Sequence, residues 1–194
     1  ESKRALFEWR KRTGEKKAQE ITTEAANRGT RMHTYLENYV KSGQLKAPGS
    51  NPYAQQSHKM AEIVIAEGLA HVNEVWGMEV PLYCSGLYAG TSDCVGLWKS
   101  RLAIMDFKQT NKPKRRDWIE DYFLQIAAYA LAHNEVHKTN IRKGVVLMCV
   151  SPKLNEQLIM IEEPKYQEFI LKPEDFDYWS DQWWRRLELY YLTA

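Results

Sequence analysis

The first part of the chain has apolar residues at helical spacing. A short apolar helix ends at Gly14, and two further helical patterns cover residues 16–27 and 29–40. In the second of these, His33 and Glu37 are four residues apart and fall on one helical face. We therefore predict that the chain begins with three helices, the third of which carries an imidazole beside a carboxylate.

A loop and a longer helix follow. Residues 43–48 contain Gly and Pro and are predicted to be a loop. Ser50 is the predicted N-cap of the next helix, and Pro52 lies in its first turn, where a missing N–H costs nothing. The apolar spacing of this helix continues to Val75.

The hydrophobic period changes after this helix from helical to alternating. Three successive strands are predicted, then a basic loop, a helix, two more strands and a closing helix. The predicted strands are 78–84, 88–98, 102–109, 144–150 and 158–161, and the predicted helices run from 117 or 121 to 136 and from 173 to 192.

This order predicts an α/β fold with a mixed central sheet of about five strands flanked by helices. The length of 194 residues suits one domain. We expect a single domain over 1–194, with a helical N-terminal part at 1–76 and an α/β core with the C-terminal helix at 77–194.

Composition and charge are those of an ordinary globular protein. The apolar share is 44%, the charged share 27% and the net charge +2, a balance compatible with nucleic acid but not specific to it. Three cysteines without a CxxC spacing favour a reducing compartment and exclude a four-cysteine cluster. No stretch has the length and hydropathy of a membrane span, so no membrane partner is expected.

A pair of carboxylates marks the predicted hairpin 90–108. Lys99-Ser100-Arg101 separates its two apolar strands. A connection of two or four residues would place Asp93 opposite Asp106, roughly 5 Å apart at Cβ, where like charges destabilise a sheet. Lys108 lies on the same face as Asp106. A bound divalent cation would remove the repulsion.

Mg²⁺ prefers hard oxygen ligands and is typically held by one or two carboxylates together with substrate phosphate. Asp93 and Asp106 would supply the carboxylates, and the backbone carbonyl of Phe107 a further ligand. Lys108 would orient or deprotonate an attacking water, or stabilise charge developing on phosphorus. The alternative is a half-exposed hairpin in which Asp106 and Lys108 form a weak surface pair.

Further polar residues surround this pair. Gln125 and Tyr129 share one face of the following helix and would contact a phosphate or Lys108. Glu79 would be a ligand, a supporting acid or a solvated strand terminus. His33 would bind metal as a neutral imidazole held by Glu37, although a lone histidine more often has a structural role.

The loop before that helix is basic and is followed by an aromatic residue. Such a run is usually only solvated, but beside a phosphodiester site it suggests salt-dependent contacts with a nucleic-acid backbone. The aromatic ring would stack on a base. The predicted nucleic-acid-binding residues are Lys112, Lys114, Arg115, Arg116 and Trp118.

Taken together, these motifs resemble the PD-(D/E)xK nuclease superfamily in its RecB-type branch, and most closely its mitochondrial genome maintenance exonuclease group. The resemblance rests on four motifs in order, and it extends over the chain from about Trp9. The motifs are Arg28-Gly-Thr-Arg-Met-His33 with Glu37, Gly90-Thr-Ser-Asp93, Ile104-Met-Asp106-Phe-Lys108 and Gln125-Ile-Ala-Ala-Tyr129.

The resemblance implies a restriction-endonuclease-like core and hydrolysis of DNA, preferably from single-stranded ends. It implies a Mg²⁺ or Mn²⁺ site of His33, Asp93 and Asp106, with Lys108 as the catalytic lysine and Gln125 and Tyr129 in support. Several RecB-type relatives carry an iron–sulfur cluster, which three cysteines cannot ligate. A helicase or recombination partner would act in trans, in DNA repair or recombination.

Two other functions stay open. A structure-specific endonuclease would use the same fold and site, and a non-catalytic nucleic-acid-binding module would keep the fold without cleavage. For location we expect the cytoplasm of a bacterial or virus-infected cell. An organelle is the alternative, since the sequence starts at Glu1 without a methionine.

Overall fold

The computed structural model describes residues 3–193, which form two compact units. The first unit reaches to Glu62 and includes Pro152–Pro164, and the second comprises Ile63–Ser151 and the residues from Lys165 onward. The helices are α1 (Lys3–Thr13), α2 (Glu15–Ser42), α3 (Pro52–Glu67), α4 (Glu120–His137) and α5 (Phe176–Thr193). The strands are β1 (Val72–Cys84), β2 (Tyr88–Trp98), β3 (Arg101–Thr110), β4 (Gly144–Val150), β5 (Lys153–Leu154), β6 (Met160–Glu162) and β7 (Lys165–Leu171). Within residues 3–193, no helix combines the length and the apolar character needed to span a membrane.

Helix α2 is continuous, whereas the sequence predicted two helices there. The expected interruption before Gly29 does not occur, because one interior glycine costs only about 1 kcal/mol and the buried Met32 and Leu36 anchor the following turns. The helix ends at Gly43, whose left-handed φ of 71° lets its N–H reach the carbonyl of Tyr39. The predicted break at Gly14 and the loop after residue 42 are confirmed.

The N-cap of helix α3 lies one residue later than predicted, and the helix ends earlier than expected. Asn51, not Ser50, accepts hydrogen bonds from the first turn, at 2.9 Å from Tyr53 N and 3.2 Å from Ala54 N. The prediction that the helix continues to Val75 is wrong. At Gly68 an added Cβ would lie 2.5 Å from a side-chain atom of Leu147, and the chain turns there before entering β1.

The second unit is built on a mixed five-stranded sheet, as predicted. Its strand order is β1-β2-β3-β4-β7. Strands β1, β2 and β3 form an antiparallel meander, β3 and β4 are parallel, and β4 and β7 are antiparallel. Helix α4 supplies the crossover that a parallel pair requires.

The fifth strand of this sheet is not the one that the sequence predicted. Residues 158–161 contribute instead to the small β5–β6 hairpin in the first unit. The strand that completes the sheet is β7, which pairs from Lys165 to Leu171 along β4. Its residues are mostly only half-buried, so it lacks the continuous apolar run of a central strand.

Helix α4 packs on the sheet and against α5, and its apolar face forms the core of the second unit. Buried core members include Val95, Ile104, Phe123, Ile126, Val146 and Phe176. On α5, Leu187 is buried, whereas Tyr190, three residues later, is 63% exposed. The three cysteines are buried and form no disulfide.

Candidate active site

The β2–β3 hairpin has a two-residue connection, Lys99-Ser100, which fixes the register. Trp98 pairs with Arg101, and the ladder continues to Cys94↔Met105. Asp93 and Asp106 are the next residues on each strand. The register therefore places them opposite one another, as predicted, but the ladder of paired residues ends one position before them. There the strands part, and Asp93 Oδ2 instead accepts a hydrogen bond from Phe107 N at 2.7 Å.

Asp106 is nearly inaccessible, with 2% of its surface exposed. It belongs to the same sheet face as Ile104, which packs into the core under α4. Its Oδ2 lies 2.8 Å from Lys108 Nζ, close enough for an ion pair but not in hydrogen-bonding geometry with any described donor. A weak surface pair, the alternative interpretation of these two residues, does not describe a carboxylate this deeply buried.

Lys108 connects the sheet to helix α4. Its Nζ donates to Gln125 Oε1 at 3.0 Å, and Gln125 Nε2 in turn donates to Tyr129 Oη at 2.9 Å. The ammonium also lies 4.9 Å from the ring centre of Tyr122. Asp106, Lys108, Gln125 and Tyr129 thus form one chain of contacts. Of the two partners expected for Gln125, a phosphate or Lys108, the structure shows Lys108.

Gly90 makes room for the last member of this chain. A Cβ at position 90 would lie 2.7 Å from Tyr129 Cε1, closer than non-bonded carbon atoms approach. The glycine three residues before Asp93 therefore has a packing role. Sequence reasoning noted the glycine as part of a motif but did not identify its contact.

The electrostatics of the site are dominated by burial and by like charge. Burial and the neighbouring Asp106 raise the pKa of Asp93, against the opposing effects of the Phe107 N–H and Lys108. Burial lowers the pKa of Lys108, but its attraction to Asp106 and Asp93 outweighs burial, so the net pKa is raised. Burial also raises the pKa of the Tyr129 hydroxyl.

These carboxylates fit a hard divalent cation. Two largely buried acids occupy neighbouring strands, and Asp106 Oδ2 has the Lys108 ammonium at 2.8 Å but no well-aligned hydrogen bond among the described residues. Oxygen ligands of this type are those preferred by Mg²⁺ and Mn²⁺. Asp93, Asp106 and the Phe107 carbonyl are the groups of the second unit that would hold such an ion.

A third acid lies in the same row of the sheet. Glu79 falls between the pairs Met78↔Cys94 and Val80↔Ser92, which puts it opposite Asp93. Its charge adds to the rise in the pKa of Asp93. The interpretation of Glu79 as a strand terminus is wrong, because β1 begins seven residues earlier, at Val72.

Glu79 also has an unusual backbone. Its φ is +50°, a left-handed conformation that non-glycine residues rarely adopt within a strand. The register of β1 against β2 shifts just before it, between Val75 and Gly77. Backbone strain of this kind concentrates at functional sites, so Glu79 joins the candidate residues.

The predicted histidine lies in the first unit. His33 is on α2, four residues before Glu37. The carboxylate of Glu37 pairs with Lys41 Nζ at 2.5 Å. The assignments of His33 as a metal ligand and Glu37 as its support stay predictions.

The basic loop is partly neutralised by its own acids. Arg115 forms two hydrogen bonds of 3.0 Å with Asp117, and Arg116 donates to the carbonyl of Ile170 and lies 3.7 Å from Asp175. Lys112 and Lys114, by contrast, make no ion pair with any residue in 3–193.

Trp118 is 61% exposed and lies 5.5 Å from the Arg115 guanidinium. Its large exposed surface distinguishes it from the tryptophans packed around α5. The ring is therefore accessible to a stacking partner, and its role in stacking on a base stays a prediction.

No family model matches the chain. Comparison with individual known proteins does find relatives. The chain is similar to two proteins named mitochondrial genome maintenance exonuclease 1. It is 28% identical to the Xenopus tropicalis protein over 198 residues, covering 95% of this chain and 52% of the relative. It is 24% identical to the Mus musculus protein over 197 residues, covering 95% and 53%.

The chain therefore spans about half the length of the curated relatives that it matches. The similarity nevertheless includes nearly all of this chain. Relatives with this name, at 24% and 28% identity, support an exonuclease family.

Proposed function

We propose that this chain is a metal-dependent exonuclease that hydrolyses phosphodiester bonds in DNA. The observation that carries the proposal is the pair of largely buried carboxylates, Asp93 and Asp106, beside Lys108. Like charges on neighbouring strands destabilise a sheet, and a divalent cation between them would offset that cost. The word exonuclease in the names of both relatives supports the same activity.

A Mg²⁺ or Mn²⁺ ion would be held by Asp93, Asp106 and the Phe107 carbonyl, with Glu79 as a further carboxylate. The Phe107 N–H points to Asp93, and in an extended strand a residue's N–H and C=O point to the same side. A bound ion would supply Lewis acidity to the phosphate oxygen. The proposal includes no iron–sulfur cluster.

Lys108 would place a positive charge beside the attacked phosphate. Its neighbours are a carboxylate, an amide oxygen and an aromatic face, all of which favour the ammonium form. We infer that it orients the attacking water or stabilises the charge developing on phosphorus. The third role considered for Lys108, removal of a proton from the water, would require the neutral amine.

Gln125 and Tyr129 would act by positioning Lys108. Gln125 uses its oxygen to accept from Lys108 and its nitrogen to donate to Tyr129. Both side chains project from α4, which is fixed to the sheet by the apolar core. This arrangement would hold the ammonium in one orientation while substrate enters.

DNA would approach along the basic loop. Lys112 and Lys114 have no competing acid among residues 3–193, so they are the best placed of the four cations to contact phosphates. Exposed Trp118 would stack on an unpaired base. Single-stranded DNA offers both features, which favours it over duplex DNA as substrate. The names of the two relatives support cleavage from an end.

Incubation of the purified chain with linear and covalently closed circular single-stranded DNA tests the proposal. With Mg²⁺ or Mn²⁺ the linear strand should be degraded and the circle spared, and EDTA should stop the reaction. Opening of the circle would favour the endonuclease. Binding without cleavage at any metal concentration would favour the non-catalytic module. Linear strands blocked at the 5′ or the 3′ end would then give the polarity.

The location and the wider process are part of the proposal. Both relatives carry the word mitochondrial in their names, so an organelle is the better-supported location, and the expected cytoplasmic location has no support from the relatives. A helicase or recombination partner acting in trans would supply the single-stranded ends.

A further inference from the structure

The turn of the β2–β3 hairpin carries a second cluster of charge, at the other end of the hairpin from the carboxylates. Lys99 Nζ lies 4.4 Å and Lys143 Nζ 4.7 Å from the ring centre of Trp98. Arg101, the strand partner of Trp98, is the third cation. We call these four residues the Trp98 cluster.

The ring at its centre is almost completely buried. Trp98 is 1% exposed, and its Nε1 has no hydrogen-bond partner among the described residues. The His71 ring packs edge-on against it, with 5.8 Å between ring centres. Two lysines are thus held beside a buried indole whose only polar group is unsatisfied.

The positive charge of the cluster is not balanced. In the described part of the chain, Lys99, Arg101 and Lys143 form no ion pair. Burial, Arg101 and Lys99 lower the pKa of Lys143. The charge of Glu168 raises it, but by less, so the net pKa is lowered. Glu168 already accepts a hydrogen bond from Tyr166 at 3.0 Å. An anion bound at the cluster would relieve the repulsion among the three cations.

The cluster is distinct from the carboxylate site. Asp93 and Trp98 are five residues apart on β2, so their side chains point to opposite faces of the sheet and lie roughly 17 Å apart along the strand. This distance alone corresponds to about five stacked nucleotides at 3.4 Å each, and the passage from one face of the sheet to the other adds to it. A strand whose scissile phosphate lies at Asp106 would need to be longer than that to reach Lys99.

We propose that the Trp98 cluster is a second phosphate-binding site, which contacts the backbone of a nucleic-acid strand outside the carboxylate site. Its ligands would be the ammonium groups of Lys99 and Lys143 and the guanidinium of Arg101. That the anion belongs to a nucleic acid rests on the proposed nuclease function. The anion site itself rests only on the charges around Trp98.

The test compares the double variant Lys99→Gln/Lys143→Gln with the matched control Lys138→Gln/Lys165→Gln, which removes two exposed lysines of the same unit. Binding to single-stranded oligonucleotides is measured in EDTA, so that no cleavage occurs, over a series of salt concentrations. Loss of two phosphate contacts should reduce the slope of log K against log salt by about 1.4. The reduction should appear for strands longer than about five nucleotides, which can reach the cluster and the carboxylate site together.

Failure of this proposal is distinguishable from failure of the nuclease. Equal slopes for the two double variants on long strands, in a protein that degrades DNA, would overturn the site and leave the nuclease intact. A reduced slope confined to Lys99→Gln/Lys143→Gln would support the site even if no cleavage were found. Thermal melting of both variants confirms that each is folded.

Discussion

Lys108 Nζ donates to Gln125 Oε1 at 3.0 Å, which ties strand β3 to helix α4 within the candidate site. The bond matters because Lys108 extends from the end of a strand, while Gln125 comes from a helix that is packed on the same sheet. An ammonium held by one carboxylate alone would retain rotational freedom. The hydrogen bond to the Gln125 amide restricts that rotation, and the same amide donates a second hydrogen bond to Tyr129.

Gln125→Ala should lower kcat for DNA cleavage by about ten- to a hundredfold, since a hydrogen bond to a charged group is worth about 1.5–3 kcal/mol. KM should change little, because no phosphate contact is lost. Single-turnover digestion of a labelled linear strand measures the effect. Gln125→Glu keeps an acceptor for Lys108 and should retain most activity. Equal losses in both variants would show that the side chain does not act through Lys108.

Asp106→Asn should abolish both cleavage and metal binding while leaving the fold intact. In the parent protein, Mg²⁺ or Mn²⁺ at a hundred times its Kd adds about 2.7 kcal/mol of stability and should raise Tm by about 5–10 °C. The variant should show no such rise. Asp181→Asn, which changes an exposed acid on α5, is the matched control. A parent protein whose melting is insensitive to both metals would contradict the assignment of the carboxylates as ligands.

The parts of this site that sequence predicted are those set by short-range spacing. The bounds of β2 and β4 agree with the alternating and the continuous apolar patterns. The two-residue Lys99-Ser100 turn places Asp93 opposite Asp106, since register in a hairpin follows from the length of its loop. Gln125 and Tyr129 share a face because helical geometry requires it.

The parts that sequence missed depend on contacts between distant segments. Val72 has the apolar spacing of a helix, but the chain enters β1 there, after α3 has ended at Glu67. The position of Glu79 opposite Asp93 depends on a register shift in β1 that no local pattern encodes. Strand β7 is an edge strand of mixed polarity, so its sequence resembles a loop as much as a strand.

Gly90→Ala should reduce kcat by tenfold or more through Tyr129, which an added Cβ would approach to 2.7 Å. Displacement of Tyr129 would disturb Gln125 and then Lys108. In a Tyr129→Ala background the obstacle is gone, so adding Gly90→Ala should cost little further activity. Ala89→Ser, at the exposed neighbouring position, is the control. Additive losses in the double variant would show that Gly90 does not act through Tyr129.

The loop residues should affect DNA binding in two different ways. Lys112→Gln/Lys114→Gln should reduce the salt slope for single-stranded DNA by about 1.4, as expected for the loss of two phosphate contacts. Trp118→Leu should weaken binding by about 1–3 kcal/mol at every salt concentration, since base stacking is not ionic. Fluorescence anisotropy in EDTA measures both quantities. A Trp118→Leu protein with unaltered affinity would remove the stacking role from the proposal.

Gly144→Ala should destabilise the second unit, because a Cβ there would lie 2.1 Å from Ile126 Cγ2. Gly144 opens β4, and Ile126 is the α4 residue directly after Gln125. Overpacking of this kind costs about 1–3 kcal/mol, which should appear as a lower midpoint in urea unfolding. If α4 moves to relieve the contact, Gln125 moves with it and cleavage should fall as well. Ile126→Ala should make the added methyl group less costly, so the two changes should not be additive. Full additivity, or an unfolding midpoint equal to that of the parent protein, would contradict close packing of α4 on β4.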